Sequence, residues 1–141
     1  MNKAILIRDF MVSNPKFVRD TDSLYAAYEM MRLYGIRHLP VVDKDDRVVG
    51  IFTHTDPNMA YPPKENDDSW YYEKDELNSI AIKQHMTKEP ALLIPEDTLR
   101  EAALTMARGK YGCIPIISGT TKKLVGIITY IDVLKKVADL V

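Results

Sequence analysis

A fixed internal offset constrains this chain more than any other feature of its 141 residues. Met11 and Met86 are 75 residues apart, and so are Pro15 and Pro90, Asp22 and Asp97, Leu24 and Leu99, Met31 and Met106, and Pro40 and Pro115. The offset becomes 76 at Gly50 and Gly126, Thr53 and Thr129, and Asp56 and Asp132, because the second copy has gained one residue in SGTTKK. A hairpin turn is where one extra residue costs least. A period of this kind means a duplicated supersecondary unit, and two such halves in so short a chain are expected to share one core.

Each copy reads the same way. A short apolar segment, KFVRD or ALLIP, has the character of a strand, and TDSL or EDTL follows it with residues that start helices. Leu24, Ala27, Tyr28 and Met31, with Leu33 or Tyr34, recur at helical spacing, as do Leu99, Ala102, Ala103 and Met106. RHLPVVD and RVVGIFT then form a β-hairpin, matched by GCIPIIS and KLVGIIT. A last helix puts Ile131, Leu134, Val137, Ala138 and Val141 on one side. The fold class is α/β (α+β), with two β-α-β-β-α units: residues 1–60 as the first repeat, 61–79 as an inserted surface loop, and 80–141 as the second repeat. The loop carries Trp70, Tyr71 and Tyr72, either as a partner site or lid or packed back on its own domain. A helix through KDELNSIAIKQHM is expected to lead into the second unit.

Composition excludes several functions. Nineteen Lys and Arg against twenty Asp and Glu leave a formal net charge of −1, with no field to draw the protein onto nucleic acid. No apolar run approaches the roughly 20 residues of a spanning helix, so no membrane role is expected. Arg8 and Asp9 interrupt the apolar stretch at the amino terminus, which does not read as a signal peptide, and the expected compartment is the cytoplasm. Cys113 is the single cysteine, so an internal disulfide is excluded, and three scattered His give no zinc spacing and no expected metal. Cys113 sits in an apolar strand pattern, where a buried inert thiol is the default. His85 reads as an ordinary surface residue.

The repeated Thr-x-x-Asp has two readings. One is a capping box, in which the two side chains satisfy orphan N–H groups at a helix start. The other is a nucleotide site. Strand-to-helix turns present free N–H groups and partial positive charge to phosphate, with the Thr hydroxyl as an extra donor. An ionised Asp accepts hydrogen bonds from the vicinal hydroxyls of a ribose.

With RHLPVVD and GIFTHTD in the first copy, GCIPIIS and GIITYID in the second, and DFMVSNP and QHMTKEP ahead of them, the chain resembles a tandem pair of CBS domains, a Bateman module. The likeness covers roughly residues 5–60 and 80–140. The resemblance implies two repeats about a pseudo-twofold axis, sheets face to face, with two clefts that bind adenosine compounds such as AMP, ADP, ATP or S-adenosylmethionine. Carried over by position, Asp56 and Asp132 hold ribose hydroxyls and Thr53 and Thr129 meet phosphate. Leu39 and Ile114 flank the adenine, and Val12 and Thr87 read its edge through the backbone. Arg37 and His38 are phosphate donors in the first copy, where the second has Gly112 and Cys113. His54 is either a further donor or a solvent-facing turn residue. Pro57 removes an N–H from the first phosphate turn, which favours Thr129 and Asp132. The resemblance also implies a disc-like homodimer through exposed apolar helix faces.

No nucleophile triad, paired carboxylates, Walker-type loop or metal cluster occurs in the sequence, so catalysis is not expected and no cofactor is required. The expected role is a regulatory module: an adenosine-type ligand alters the packing of the repeats and signals to a regulated partner protein. The rival is a structural dimerisation module with vestigial clefts, in which both Thr-x-x-Asp turns are caps alone.

Overall fold

The computed structural model describes residues 4–53 and 75–141. In chain order the described elements are β1 (Val12–Ser13), β2 (Val18–Arg19), α1 (Leu24–Tyr34), β3 (His38–Val42), β4 (Val48–Thr53), β5 (Thr87–Lys88), α2 (Leu99–Gly109), β6 (Cys113–Ile117), β7 (Leu124–Thr129) and α3 (Tyr130–Ala138). Single 3-10 turns at Ile7–Asp9 and Ile82–Gln84 precede β1 and β5. The expected strands, first helices and hairpins are therefore present, with two differences. ALLIP contributes only a parallel bridge from Leu93 to Ile116 rather than a full strand. The helix expected through KDELNSIAIKQHM is described as helical only over 75–78, where the amide of Ser79 turns back to Glu76 O. The aromatic cluster at Trp70, Tyr71 and Tyr72 lies outside the described residues.

Two compact units form, one from Met1–Pro15, Asp45–Val48 and Glu89–Val141, the other from Lys16–Lys44 and Val49–Lys88. The lead-in segment of each sequence copy thus belongs to the unit built around the other copy. In the first unit β1 adds antiparallel to β7, with Val12 opposite Ile127 and Ser13 opposite Gly126, in a sheet of order β1-β7-β6. In the second, β5 adds antiparallel to β4, with Thr87 opposite Ile51 and Lys88 opposite Gly50, in a sheet of order β2-β3-β4-β5. The amide of Ile7 donates to Asp97 O at 2.8 Å, and its duplicate, Ile82, donates to Asp22 O at 2.8 Å. Both isoleucines are fully buried, each in the core of the unit it joins. Burying such a side chain stabilises by about 1.5–3 kcal/mol, so Ile7 and Ile82 anchor the exchanged segments.

The glycine in each copy has a steric cause. A methyl group on Gly126 would stand 2.6 Å from Met11 Sδ, and one on Gly50 would stand 2.5 Å from Met86 Sδ. The backbone is close as well, with Thr87 O 2.8 Å from a methyl on Gly50 and Val12 O 3.1 Å from one on Gly126, so glycine suits the close approach of the lead-in strands to β4 and β7. The paired Met and Gly of the repeat thus explain each other. Asp22 and Asp97 have a structural role too. Their Oδ2 atoms accept the amides of Arg19 at 2.8 Å and Ile94 at 2.9 Å, closing the turn from strand to helix.

Helices α1 and α2 start at Ser23 and Thr98, whose hydroxyl oxygens accept the amides of Ala26 and Glu101, each at 3.1 Å. They bury the faces the spacing assigns: Leu24, Ala27, Tyr28 and Met31 in α1, and Leu99, Ala102 and Met106 in α2. Helix α3 differs. It buries Val133, while Ile131, Leu134 and Val137 are exposed, so the apolar side seen in the sequence is not its packed side.

Candidate functional site

Nine of the ten residues expected at ligand sites are described, and they fall into two sets, one in each unit. In the first unit Val12 lies on β1 beside β7, Ile114 lies on β6, Thr129 ends β7, and Asp132 is in the first turn of α3. In the second unit Thr87 lies on β5, Leu39 is in β3 with His38 at its start, Arg37 precedes that strand, and Thr53 ends β4. Asp56, with its neighbours His54 and Pro57, lies outside the described residues. Each set draws its lead-in residue, Val12 or Thr87, from the other sequence copy.

The first set has the fuller geometry. Thr129 has extended backbone, φ −114° and ψ 166°, and caps α3. Its N–H donates to Asp132 Oδ2 at 2.9 Å and its hydroxyl donates to the same oxygen at 3.1 Å. The N–H of Asp132 in turn donates to Thr129 Oγ1 at 3.3 Å. The pair is therefore a reciprocal capping box. It occupies only Oδ2; Asp132 Oδ1 accepts no hydrogen bond from the described residues. The amide of Tyr130 is taken by Gly112 O at 3.1 Å, leaving the Ile131 N–H as a first-turn donor open to a ligand. Among the described residues, one acceptor and one donor thus have no partner at the positive end of a nine-residue helix.

Cys113 pairs in register with Thr129 across β6 and β7. Burial, reinforced by the Asp132 carboxylate, pushes its thiol up to about 12, so it is a neutral wall of this turn and not a nucleophile. Its place beside Asp132 was not expected, since nothing in a sequence of scattered residues sets Cys113 against the second Thr-x-x-Asp until the strand register is known.

In the second unit Arg37 is exposed and His38 is half-buried. Burial, and then the Arg37 guanidinium, lowers the His38 pKa, which keeps the imidazole neutral near neutrality. A neutral imidazole still donates one N–H, and an incoming phosphate would draw a proton onto it.

The expectation for Leu39 and Ile114 needs correction. Both side chains are 0 % exposed and belong to the two core clusters, Leu39 beside Val41 and Phe52, Ile114 beside Ile116 and Ile128. Side chains closed off in this way offer no surface to a ligand. The reason is that residues throughout both strands are buried, with four of five positions in each closed to solvent, so the alternation that would expose one face is lost. Among the described residues no cluster of His, Cys, Asp and Glu holds a metal, and no helix is long and apolar enough to cross a membrane.

A family profile described as CBS domain matches residues 7–56 and 81–139. The chain belongs to the CBS-domain family. This CBS pair is 33 % identical over 131 residues to an inosine-5'-monophosphate dehydrogenase of Korarchaeum cryptofilum, covering 93 % of this chain and 23 % of the relative. It thus spans about a quarter of the length of the curated relatives it matches first. Among solved structures it superposes on the CBS domain of a CBS domain-containing membrane protein from Sphaerobacter thermophilus with TM-score 0.81 and 27 % identity, covering 94 % and 87 % of the two chains. It resembles CBSX2 in complex with AMP with TM-score 0.75 and 21 % identity, over 96 % and 98 %. It also resembles the CBS domain pair of protein MJ0100 in complex with 5'-methylthioadenosine and S-adenosyl-L-methionine, with TM-score 0.73 and 21 % identity, over 99 % and 100 %. The mixed α/β architecture is that of CBS-pair proteins, and both matched segments are CBS domains.

Proposed function

We propose that this CBS pair is a regulatory module for an adenosine-containing ligand, AMP, ADP, ATP or S-adenosylmethionine, whose binding is passed to a regulated protein. The observation that carries the reading is the turn from β7 into α3, where a reciprocal Thr129–Asp132 pair leaves Asp132 Oδ1 and the Ile131 N–H without a partner among the described residues. In this reading Oδ1 accepts from the ribose hydroxyls, and the phosphate takes the helix N–H and the Thr129 hydroxyl proton, which turns to it from Asp132 Oδ2 while that oxygen keeps the Thr129 amide. Val12, on the strand beside β7, offers backbone to the adenine edge. Thr53, Asp56, Arg37, His38 and Thr87 are assigned the same work in the second unit, with Arg37 and His38 adding charge for a longer phosphate. The adenosine compounds bound by CBSX2 and by the MJ0100 pair support the choice of ligand class. A ligand regulates only through its difference in affinity between two conformations of the module.

The proposed assembly is a homodimer through α3. Ile131, Leu134, Val137 and Leu140 are 47, 61, 40 and 58 % exposed, and an apolar stripe of that length is seldom left to water. Leu134→Glu is expected to convert dimer to monomer in light scattering, and an unchanged mass overturns that assignment.

Thermal denaturation with AMP, ADP, ATP, S-adenosylmethionine and, as an outgroup, GTP tests the ligand class. A ligand at 100 times its dissociation constant adds about 2.7 kcal/mol. A midpoint raised by an adenosine compound and unmoved by GTP supports the reading. No rise with any of them leaves the structural dimerisation module as the better account.

A further inference from the structure

We infer that Met11 is an oxidation site at which a peroxide weakens the first unit by loosening β1 from β7. Two independent observations meet at this side chain. Its thioether is wedged over Gly126, where even a methyl group would stand 2.6 Å from Sδ, and it packs against the core cluster that holds Ile7, Ile114, Ile116 and Ile128. The same side chain also lines a surface cavity of about 260 Å³, with Pro95, Glu96, Ser118, Gly119, Thr120 and Val125 around it. In this inference the cavity gives an oxidant the size of hydrogen peroxide its route to a half-buried side chain whose sulfur is part of the packing. Met31 and Met106, at 5 and 7 % exposed, lie in the interior of their cores.

The step balances without a metal. The peroxide transfers one oxygen atom to Sδ, an S–O bond forms as the O–O bond breaks, sulfur loses two electrons, and water leaves. Two thiols reverse it, returning the thioether, a disulfide and water. The sulfoxide is polar and larger than the thioether, so it disfavours both the contact with the apolar cluster and the close approach at Gly126. The strand it loosens pairs through Val12 and Ser13, opposite Ile127 and Gly126, with the Asn14 amide reaching Val125 O at 3.4 Å and Ile7 anchoring the segment ahead of it. Pairing this short weakens when its flanking contact is lost, while the Ile7 anchor keeps the segment attached. The inference concerns the stability of the first unit and stands independently of any ligand at Thr129.

The test uses the whole chain in a Met86→Leu background, which removes the twin contact at Gly50. This protein and its Met11→Leu derivative are treated with hydrogen peroxide, oxidised peptides are followed by mass spectrometry, and thermal midpoints are recorded through the time course. Met11 is expected to gain oxygen well before Met31 and Met106, with the midpoint falling by several degrees in proportion to its sulfoxide. The Met11→Leu protein, whose substitution nearly conserves volume, is expected to keep its midpoint. Should that variant fold poorly, the correlation within the parent protein decides alone. Oxidation of Met11 no faster than Met106, or a complete Met11 sulfoxide with an unmoved midpoint, overturns the inference.

Discussion

Thr129→Ala separates a cap from a ligand contact. In the ligand-free protein the Thr129 hydroxyl accepts the Asp132 amide at 3.3 Å and donates to Asp132 Oδ2 at 3.1 Å, so its removal uncaps α3. Loss of a Thr cap costs about 1 kcal/mol, or roughly 3–5 °C in a domain of this length. If that hydroxyl turns its proton from Asp132 Oδ2 to a phosphate on binding, one anionic acceptor is exchanged for another, and the variant loses about 0.5–1.5 kcal/mol of binding, roughly 2- to 12-fold in Kd. Thr98→Ala supplies the control. Thr98 caps α2 in the same unit, its Oγ1 accepting the Glu101 amide at 3.1 Å, yet it has no place in the proposed site. Calorimetric titration with AMP is expected to show weakened binding for Thr129→Ala and wild-type affinity for Thr98→Ala, at similar cost in stability. Equal affinities in the two variants refute the phosphate role and leave Thr129 as a cap.

Other consequences concern stability and reactivity. The lowered His38 pKa means that the folded protein favours the neutral ring, so this contribution to stability is present above the ordinary value of 6.5 and is lost as pH falls through the lowered one. A thermal midpoint that drops on acidification below about 6.5, with part of the drop abolished in His38→Gln, is expected; identical profiles contradict the assignment. Cys113, at about 12 against an ordinary 9.0, carries roughly a thousandfold less thiolate at neutral pH. A disulfide reagent is accordingly expected to label it only after urea unfolds the chain, and rapid labelling of the native protein counts against its burial. Gly126→Ala is expected to cost about 1–3 kcal/mol through overpacking against Met11, and Met11→Ala in the same chain should return part of it. Additive losses in urea melts would show that the two residues do not share a contact.

Much of this architecture was legible because the duplication kept its periods. The helical spacing of Leu24, Ala27, Tyr28 and Met31 gave the buried face of α1, and the one-residue lengthening at SGTTKK fell in the β6–β7 turn. The exchange of lead-in segments was not legible. Met11 lies against Gly126 and Met86 against Gly50, yet a 75- or 76-residue offset is the same whether such partners sit within one copy or across two. The packed side of α3 was misleading for a different reason. Amphipathicity tells which residues avoid water but not whether the chain's own core or another surface covers them, and here Val133 packs while Leu134 is exposed. At the candidate site, type and spacing singled out Thr129 and Asp132 as a capping pair, which the structure contains, whereas the burial of Leu39 and Ile114 was hidden because a near-continuous apolar strand does not tell which of its residues faces out.

Backbone amide NMR during a titration with AMP tests the central claim most directly. The account predicts the largest shifts at Thr129, Ile131 and Asp132, with accompanying changes at Val12 and Ser13 on the neighbouring strand, and none at the Thr98–Glu101 cap. Saturable shifts confined to other elements, or no shift at the head of α3 at millimolar AMP, would contradict it.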